Sequence, residues 1–155
     1  RNTLNKVKLD LNQMVSEVWE ESQMIDEKHR YLFRGTDPAY MTGDIAMIKQ
    51  SIRIFVQNAA KYSSDGADIT LGVMLESGYV SYMIQDEGIG MESSDVVHIF
   101  ERFYRSDEAR NGETGGSGLG LSIAKWIVDA HSGTIQVVSR PEIGTRFIVR
   151  FPMCE

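Results

Sequence analysis

The fold is decided by residues 80–90, which read VSYMIQDEGIG. Val80, Tyr82 and Ile84 recur at every second position, which is the period of a β-strand with one buried face. Asp86 continues that parity, so its carboxylate is expected to point inward with the apolar side chains. A buried carboxylate is costly unless it is paired or hydrogen-bonded. The stretch therefore predicts a strand that ends in an inward-facing acid.

Two glycines, Gly88 and Gly90, follow this acid at once. Glycine permits left-handed turns and allows a ligand to come close to the backbone. A carboxylate beside such a turn is suited to accept a hydrogen bond from the exocyclic amine of adenine. An ordinary turn aspartate is the alternative interpretation, because Asp and Gly are both common in turns.

Hairpins and helices extend outward from this strand. Strands are predicted at residues 7–11, 29–34, 69–75, 80–86, 134–139 and 145–151. Helices are predicted from Asp10 to about Glu21, from Asp44 to Tyr62, from Ser93 or Ser94 to about Phe100, and from about Leu119 to a stop at Gly133. Antiparallel hairpins with helices between them predict an α+β fold. We expect a two-layer α/β sandwich with a mixed, mostly antiparallel sheet and all helices on one face.

Two of the predicted helices carry apolar stripes that indicate which face is buried. In helix 44–62 the stripe consists of Ile45, Ile48, Ile52, Phe55 and Ala59. In the helix that follows residue 118 it consists of Leu119, Ile123, Trp126, Ile127 and Ala130. Asp10 is expected to cap the first helix in a capping box with Gln13.

Asn58 lies in the middle of helix 44–62, where asparagine is a poor helix former. Lys61 and Tyr62 follow three and four residues later, so the three side chains share one face beside the apolar stripe. One interpretation is the polar rim of a packed helix. The functional interpretation is a neutral oxygen ligand for Mg²⁺ with a lysine placed for phosphate.

Residues 115–121, which read GGSGLGL, lead directly into a helix. Glycines before a helix N-terminus expose backbone amides where the helix dipole favours anions, so phosphate binding is the natural interpretation. A flexible linker is the alternative. Arg102 and Arg105 precede this loop and suit a γ-phosphate, although surface solvation explains them equally. Residues 106–117 are rich in Gly, Ser, Asp and Glu and are predicted to form a mobile loop.

Thr145 has the same parity as the apolar residues of the last strand. Its small hydroxyl is suited to line a pocket on the inner face of the sheet. A buried threonine with local hydrogen bonds is an equally good interpretation of the sequence.

Composition limits the kinds of partner. The 155 residues carry a formal net charge of −6 without a basic tract, which argues against nucleic acid as a partner. Cys154 has no second cysteine to pair with and fits a reducing cytoplasm. None of His29, His98 and His131 lies near another candidate metal ligand or nucleophile in the sequence, so all three are interpreted as structural.

Five strings, in order along nearly the whole chain, resemble the catalytic ATP-binding domain of sensor histidine kinases, a family related to gyrase-type ATPases and MutL. The strings are residues 57–63 (the N-box), 86–91 (the first glycine box), 99–105 (the phenylalanine box), 116–121 (the second glycine box) and 144–147. Each string is modest alone, but five in the family's order are specific. The resemblance implies a Bergerat-type ATP-binding fold, and ATP and Mg²⁺ as cofactors.

The resemblance also implies roles for individual residues. Asn58 would hold Mg²⁺ and take part in catalysis, as would Arg105 at the γ-phosphate, while Asp86 would bind the adenine amine. Residues 106–117 would form the lid over ATP. The remaining implied ATP contacts are Lys61, Tyr62, Gly88, Gly90, Gly116, Ser117, Gly118, Leu119, Gly120, Leu121 and Thr145.

Two departures from the family pattern stand out. A polar residue, often asparagine, usually lies four residues before Asn58, and here the position is Ile54. The helices that carry the phosphorylated histidine do not precede the domain, and Arg1 opens the chain in mid-pattern, so we expect one ATPase domain over residues 1–155 excised from a longer kinase. None of the three histidines matches the phosphoacceptor motif.

The leading hypothesis is transfer of the ATP γ-phosphoryl group to a histidine on a separate dimerisation domain, in two-component signalling with a downstream response regulator. The full-length protein is expected to be a membrane-bound homodimer with this domain in the cytoplasm. A nucleotide-binding regulatory module with little kinase activity is the second hypothesis, and Ile54 supports it. A dinucleotide-binding oxidoreductase is disfavoured, because the glycines lie late in the chain and are spaced G-x-G-x-G.

Overall fold

The computed structural model describes residues 3–102, 104 and 119–154. The strands are β1 (Val7–Asp10), β2 (Arg30–Arg34), β3 (Tyr40–Gly43), β4 (Asp68–Glu76), β5 (Tyr79–Asp86), β6 (Thr134–Arg140) and β7 (Gly144–Pro152). The helices are α1 (Leu11–Ile25), α2 (Ile45–Lys61), α3 (Ser93–Val96) and α4 (Gly120–Ala130). Over the described ranges, no helix is both long and apolar enough to cross a membrane.

The main sheet has five strands in the order β2–β4–β5–β7–β6, and β2–β4 is its parallel pair. Helices α1 and α2 pack on β4 and β5, and α4 packs on β6. The Phe55 ring of α2 lies 4.6 Å from the Phe147 ring and 6.3 Å from the Tyr82 ring, measured between centroids. The predicted two-layer α+β sandwich with a mixed, mostly antiparallel sheet is confirmed.

A second, two-stranded sheet pairs β1 with β3 in antiparallel register. Strand β3 is missing from the sequence-based prediction, because Met41 is its one large buried apolar side chain and a single such residue shows no alternation. Its contribution to the core is nevertheless real, since Met41 is buried.

Helix α2 is the central helix of the packed layer. Its predicted stripe is buried at Ile48, Ile52, Phe55 and Ala59. The prediction is wrong at Ile45, whose side chain is 42% exposed. Ile45 belongs to the first turn of the helix and lines an open surface groove with Asn5 and Val7 instead of facing the sheet.

Helix α4 confirms its predicted stripe only in part, because Ile127 is buried as expected but two other members are not. Ala124, Ile127 and Val128 are buried, whereas Ile123 and Trp126 are 40% and 45% exposed. Both sets obey the helical repeat, and neighbouring residues on a helix differ by about 100° in direction. Periodicity alone therefore does not choose between the two faces of a helix that is apolar on both.

The N-terminus of α1 departs from the predicted capping box. Asp10 Oδ1 accepts a hydrogen bond from the Asn12 amide at 3.0 Å, as a cap should. Gln13 does not reach back to Asp10, because its side chain donates to Glu17 Oε2 at 3.0 Å. The helix also continues to Ile25, beyond the predicted end at Glu21.

Helix α3 is shorter than predicted and ends at Val96 instead of Phe100. Neither Ser93 nor Ser94 is the N-cap, and the actual cap residue makes no side-chain hydrogen bond. The chain continues in successive turns, which still bury Ile99 against the core.

The C-terminus of α4 lies close to the predicted stop. The Gly133 amide donates to Val128 O at 2.9 Å, which is the long bond of a Schellman motif. The left-handed residue of the motif is Ser132, with φ of 58°, and not the glycine. His131 tethers this end of the helix, because its Nε2 accepts from the Asp44 amide at 3.0 Å.

A hydrogen-bonded cluster ties the start of β2 to the end of α2. His29 Nδ1 donates to Asp26 Oδ2 at 2.7 Å, and His29 Nε2 donates to Ser63 O at 3.1 Å. The Tyr31 hydroxyl donates to the same Asp26 oxygen at 2.6 Å. Burial disfavours the imidazolium, but the bonds to Asp26 and Ser63 outweigh it and raise the pKa of His29. Because both ring nitrogens donate, the geometry selects the protonated ring.

We expect the free energy of unfolding to fall as pH rises above the ordinary His pKa of 6.5. The folded-state pKa of His29 is the higher one, so its contribution is complete below the unfolded pKa and is lost as pH rises through the folded pKa. Urea unfolding at pH 6 and pH 8.5 measures this. His29→Gln should remove that part of the fall, while His98→Gln, which changes an exposed ring, should keep it. An unchanged pH dependence in His29→Gln would contradict the assignment.

Candidate functional site

An open cavity, with about 570 Å³ of empty space including solvent at its mouth, lies where β5 ends and the glycine turn of residues 87–91 begins. Its walls come from α2, from the end of β5 and the turn after it, from the segment after α3, from α4 and from β7. The lining residues are Asn58, Tyr62, Asp86, Ile89, Gly90, Met91, Ile99, Tyr104, Leu121 and Thr145. Six of the predicted site residues thus surround one space, although they are far apart in sequence.

Asp86 is the buried acid of this cavity, with 7% of its surface exposed. Its Oδ1 accepts hydrogen bonds from the Gly88 amide at 2.8 Å and the Thr145 amide at 3.2 Å. Burial raises the pKa of Asp86 and outweighs these two bonds, which lower it. Its Oδ2 accepts no hydrogen bond from the described residues, so one carboxylate oxygen is available to a ligand.

The glycines after Asp86 are required by close packing of backbones. A Cβ on Gly88 would lie 2.3 Å from Tyr62 O, and one on Gly90 would lie 1.8 Å from Arg140 O. Gly90 also has φ of 67°, which disfavours any residue with a Cβ. Gly90 lines the cavity, whereas Gly88 supports Asp86 from outside it. The expected close approach is therefore to the protein's own backbone.

Thr145 combines both interpretations drawn from the sequence. It is buried, lines the cavity and shares a hydrogen bond of 2.8 Å with the Ser139 hydroxyl. Ser139 in turn accepts a hydrogen bond from the Met91 amide at 2.9 Å. Ser139 is not among the predicted site residues. It lies opposite Thr145 in the β6–β7 hairpin, so the strand pairing could have identified it.

Asn58 is half-buried on α2 and faces the cavity. Its carboxamide forms no hydrogen bond with the rest of the described chain. Within the same part of the molecule, no three His, Cys, Asp or Glu side chains are grouped as a metal site would need. The cavity therefore offers a neutral amide oxygen and no carboxylate cage, a donor set that suits Mg²⁺ held mainly by the phosphates of a ligand.

Residues 43–155 match the protein family described as "Histidine kinase-, DNA gyrase B-, and HSP90-like ATPase". The chain belongs to this ATPase family. It is 38% identical over 143 residues to the sensor histidine kinase YkoH of Bacillus subtilis, covering 92% of this chain and 31% of YkoH. It is 37% identical over 130 residues to the sensor protein CiaH of Streptococcus pneumoniae, covering 83% of this chain and 29% of CiaH. The chain thus spans about a third of the length of these relatives.

Solved structures share the fold. The mycobacterial sensor histidine kinase MprB aligns with a TM-score of 0.82 at 24% identity, over 95% of this chain and 97% of that one. Full-length ShkA in complex with AMPPNP aligns with a TM-score of 0.83 at 22% identity, over 99% of this chain and 32% of that one. At these identities the likeness shows that the fold of the ATPase domain is common to all of them.

Several residues implied by the family resemblance are not among those that line the cavity, and others are outside the described ranges. Lys61 is exposed in the last turn of α2, with its Nζ 5.9 Å from the centre of the Tyr62 ring. Gly120 begins α4 and Leu121 lines the cavity, while Leu119 precedes the helix without a side-chain cap bond. The residues outside the described ranges are Arg105, Gly116, Ser117 and Gly118.

Four apolar or aromatic lining residues of this ATPase domain are missing from the predicted site. Ile89 and Met91 flank Gly90 in the glycine turn, and Ile99 and Tyr104 come from the segment after α3. Acids, amides and glycines stand out in a sequence as candidate ligand-binding residues, whereas apolar side chains are indistinguishable from those of the core. These four supply an apolar wall such as a flat base requires.

Asp86→Asn should raise the free energy of unfolding at neutral pH. Because the folded-state pKa of Asp86 lies above the unfolded value of 3.8, the ionised carboxylate destabilises the fold at neutral pH. An asparagine keeps an acceptor oxygen for the Gly88 and Thr145 amides without the charge. Urea unfolding at pH 7 should show a higher midpoint for the variant, and the gain should vanish below about pH 4. A lower midpoint at pH 7 would contradict this reasoning.

Proposed function

We propose that the cavity binds the adenine of ATP and that the chain is the catalytic, ATP-binding domain of a sensor histidine kinase. The observation that carries the proposal is the buried Asp86 carboxylate, which has one oxygen held by two backbone amides and the other without a partner among the described residues. An ionised carboxylate accepts and cannot donate. It therefore suits the adenine amine and disfavours the carbonyl of guanine at the same position.

The walls of the cavity support a purine ligand. Ile89, Met91 and Ile99 give apolar surface on which a base can pack, while Asp86 and Thr145 are grouped at one polar edge. Binding sites of this type combine a mostly apolar lining with a few placed polar groups that fix orientation. The base would thus be read along one edge and held by its faces.

The phosphate end of the site rests on α2 and on the N-terminus of α4. When bound, Mg²⁺ would neutralise charge on the ATP phosphates, and Asn58 would offer its carboxamide oxygen to it. Lys61, Arg105 and the amides of residues 116–121 are proposed as phosphate contacts on the family resemblance. Residues 106–117 are proposed as the lid over ATP on the same ground.

Phosphoryl transfer requires positioning and charge stabilisation more than covalent chemistry by the protein. The attacking group would be the imidazole of a histidine on a separate dimerisation domain, so this domain needs no nucleophile of its own. A response regulator would receive the phosphoryl group next. We further propose that residues 1–155 form one ATPase domain on the cytoplasmic side of a membrane-anchored, homodimeric kinase.

A second candidate function is a nucleotide-binding module with weak kinase activity. Ile54 favours it, because it places an aliphatic side chain one helical turn before Asn58, packed against the core. A Cβ on Gly120 would lie 3.6 Å from Ile54 Cγ2, so the aliphatic group also borders the start of α4. This position then supplies no polar atom to orient water or a metal ligand.

Titration of the chain with a fluorescent ATP analogue, with and without Mg²⁺, tests nucleotide binding. Asp86→Ala should weaken binding roughly ten- to hundredfold, because the adenine amine loses a charged acceptor. Asp37→Ala, which removes an exposed turn acid, should bind like the unaltered chain. Omission of Mg²⁺ should weaken binding by the unaltered chain more than by Asn58→Ala. Equal binding by Asp86→Ala and the unaltered chain would refute the adenine assignment.

Phosphotransfer in the full-length kinase separates the two candidate functions. Asn58→Asp and Arg105→Ala should each slow transfer to the histidine at least about tenfold, since both are proposed to stabilise charge at the phosphates. Rapid transfer by the unaltered kinase would support the catalytic function. Slow or absent transfer despite tight ATP binding would favour the regulatory module, and unchanged rates in both variants would refute the catalytic assignments.

A further inference from the structure

The hydroxyl of Ser139 joins three segments of the site. It accepts a hydrogen bond from the Met91 amide at 2.9 Å, lies 3.2 Å from Gly144 O and lies 2.8 Å from Thr145 Oγ1. Met91 belongs to the glycine turn, and Gly144 and Thr145 open strand β7. One half-buried hydroxyl on β6 therefore contacts both segments that hold Asp86.

Counting protons shows that the hydroxyl pair has two arrangements. A serine hydroxyl donates one hydrogen bond and accepts two. The Met91 amide is always a donor and Gly144 O is always an acceptor. If Ser139 donates to Gly144 O, Thr145 must donate to Ser139 and can only accept from a ligand. If Ser139 donates to Thr145 Oγ1 instead, the Thr145 hydroxyl is free to donate its own hydrogen bond to a ligand in the cavity.

The second arrangement matches adenine. Thr145 is adjacent to Asp86, because its backbone amide donates to Asp86 Oδ1 at 3.2 Å. In the proposed pose, the amine donates to the free oxygen of Asp86 and the adjacent ring nitrogen, N1, faces Thr145. N1 of adenine is an acceptor and needs a donor. While the pair stays bonded, Thr145 can donate to N1 if its oxygen accepts the hydrogen bond from Ser139.

We propose that Ser139 is a positioning residue for base recognition, whose hydroxyl orients Thr145 as a donor to N1 of adenine and anchors the Met91 amide. The proposal rests on the proposed function of the cavity. It assigns specificity at N1 to a residue that does not line the cavity.

The glycine turn has a second attachment that is independent of Ser139. The Glu142 amide donates to Ile89 O at 2.6 Å, and Gly90 packs directly on the backbone of Arg140. Ser139→Ala should therefore fold with the turn near its place, but with Thr145 lacking its hydroxyl partner. Ser139→Thr keeps the hydroxyl, and β-branched residues suit a strand.

The test compares ATP with 1-deaza-ATP, in which N1 is replaced by a C–H group, by calorimetric titration with Mg²⁺. The unaltered chain should prefer ATP by roughly three- to tenfold, the worth of one hydrogen bond. Ser139→Ala should weaken ATP binding and reduce that preference to below about twofold, and Ser139→Thr should restore it. Ser81→Ala is the matched control, because it removes a buried strand hydroxyl that has no hydrogen-bond partner, and it should keep the full preference.

The outcomes separate this proposal from the proposed function. If Ser139→Ala weakens ATP and 1-deaza-ATP by the same factor, or weakens neither, the role of Ser139 is overturned while ATP binding stands. The role is also overturned if Ser139→Thr does not recover the preference. No binding of ATP by the unaltered chain would overturn the proposed function and this proposal together. Urea midpoints recorded for each variant show whether a loss of preference accompanies a loss of folded protein.

Discussion

The hydrogen bonds of Asp86 Oδ1 join three pieces of chain. They link the end of β5 to the glycine turn through Gly88 and to the start of β7 through Thr145. The same acid is disfavoured by its own burial, which raises its pKa. A fold that keeps such a group gives up stability for chemistry, as is common at functional sites. The cavity depends on this arrangement, because it fixes which oxygen remains for a ligand.

The glycines around Asp86 follow from the same constraint. Gly144 has φ of 145°, and a Cβ there would lie 2.1 Å from Asp86 O. Gly88 and Gly90 are pressed against Tyr62 O and Arg140 O in the same way. Three backbones can approach the acid only where side chains are missing. The glycine-rich pattern is thus a packing requirement first, and it builds the polar edge of the cavity from close backbone contacts.

The sequence was informative where a pattern has one physical solution. Alternation up to Asp86 predicted an inward acid, and the hairpin pattern predicted the sheet. The prediction failed where two solutions satisfy the same pattern. Helix α4 is apolar on two faces, so the choice of Ala124 over Ile123 depends on packing against α2 and β6. The capping box failed because Gln13 has a competing partner, Glu17, one turn along the helix.

The part of the site that depends on contacts between distant segments also could not be predicted from the sequence. Ser139 and Met91 are joined by a hydrogen bond although they are far apart along the chain. Nothing in either segment alone marks the contact, because a strand serine is ordinarily a surface residue. The apolar lining was missed for a related reason, since Ile99 reads as core until the cavity beside it is seen. Polar residues whose burial costs free energy could be identified from the sequence. Residues whose role depends on a neighbour that is distant in sequence could not.

The two ends of the cavity are built from different kinds of contact. The proposed binding of the base and the proposed catalysis at the phosphates therefore depend on different residues. The end of the cavity proposed for the base is held by backbone hydrogen bonds and close glycine contacts, which leave little freedom. The end proposed for the phosphates relies on side chains of α2 and on the start of α4, where a Cβ on Gly120 would lie 3.6 Å from the aliphatic Ile54. Apolar contact is non-directional and does not fix the orientation of a metal ligand. On the proposed function, recognition of the base can therefore stay tight even where the phosphate chemistry depends on groups outside the described residues.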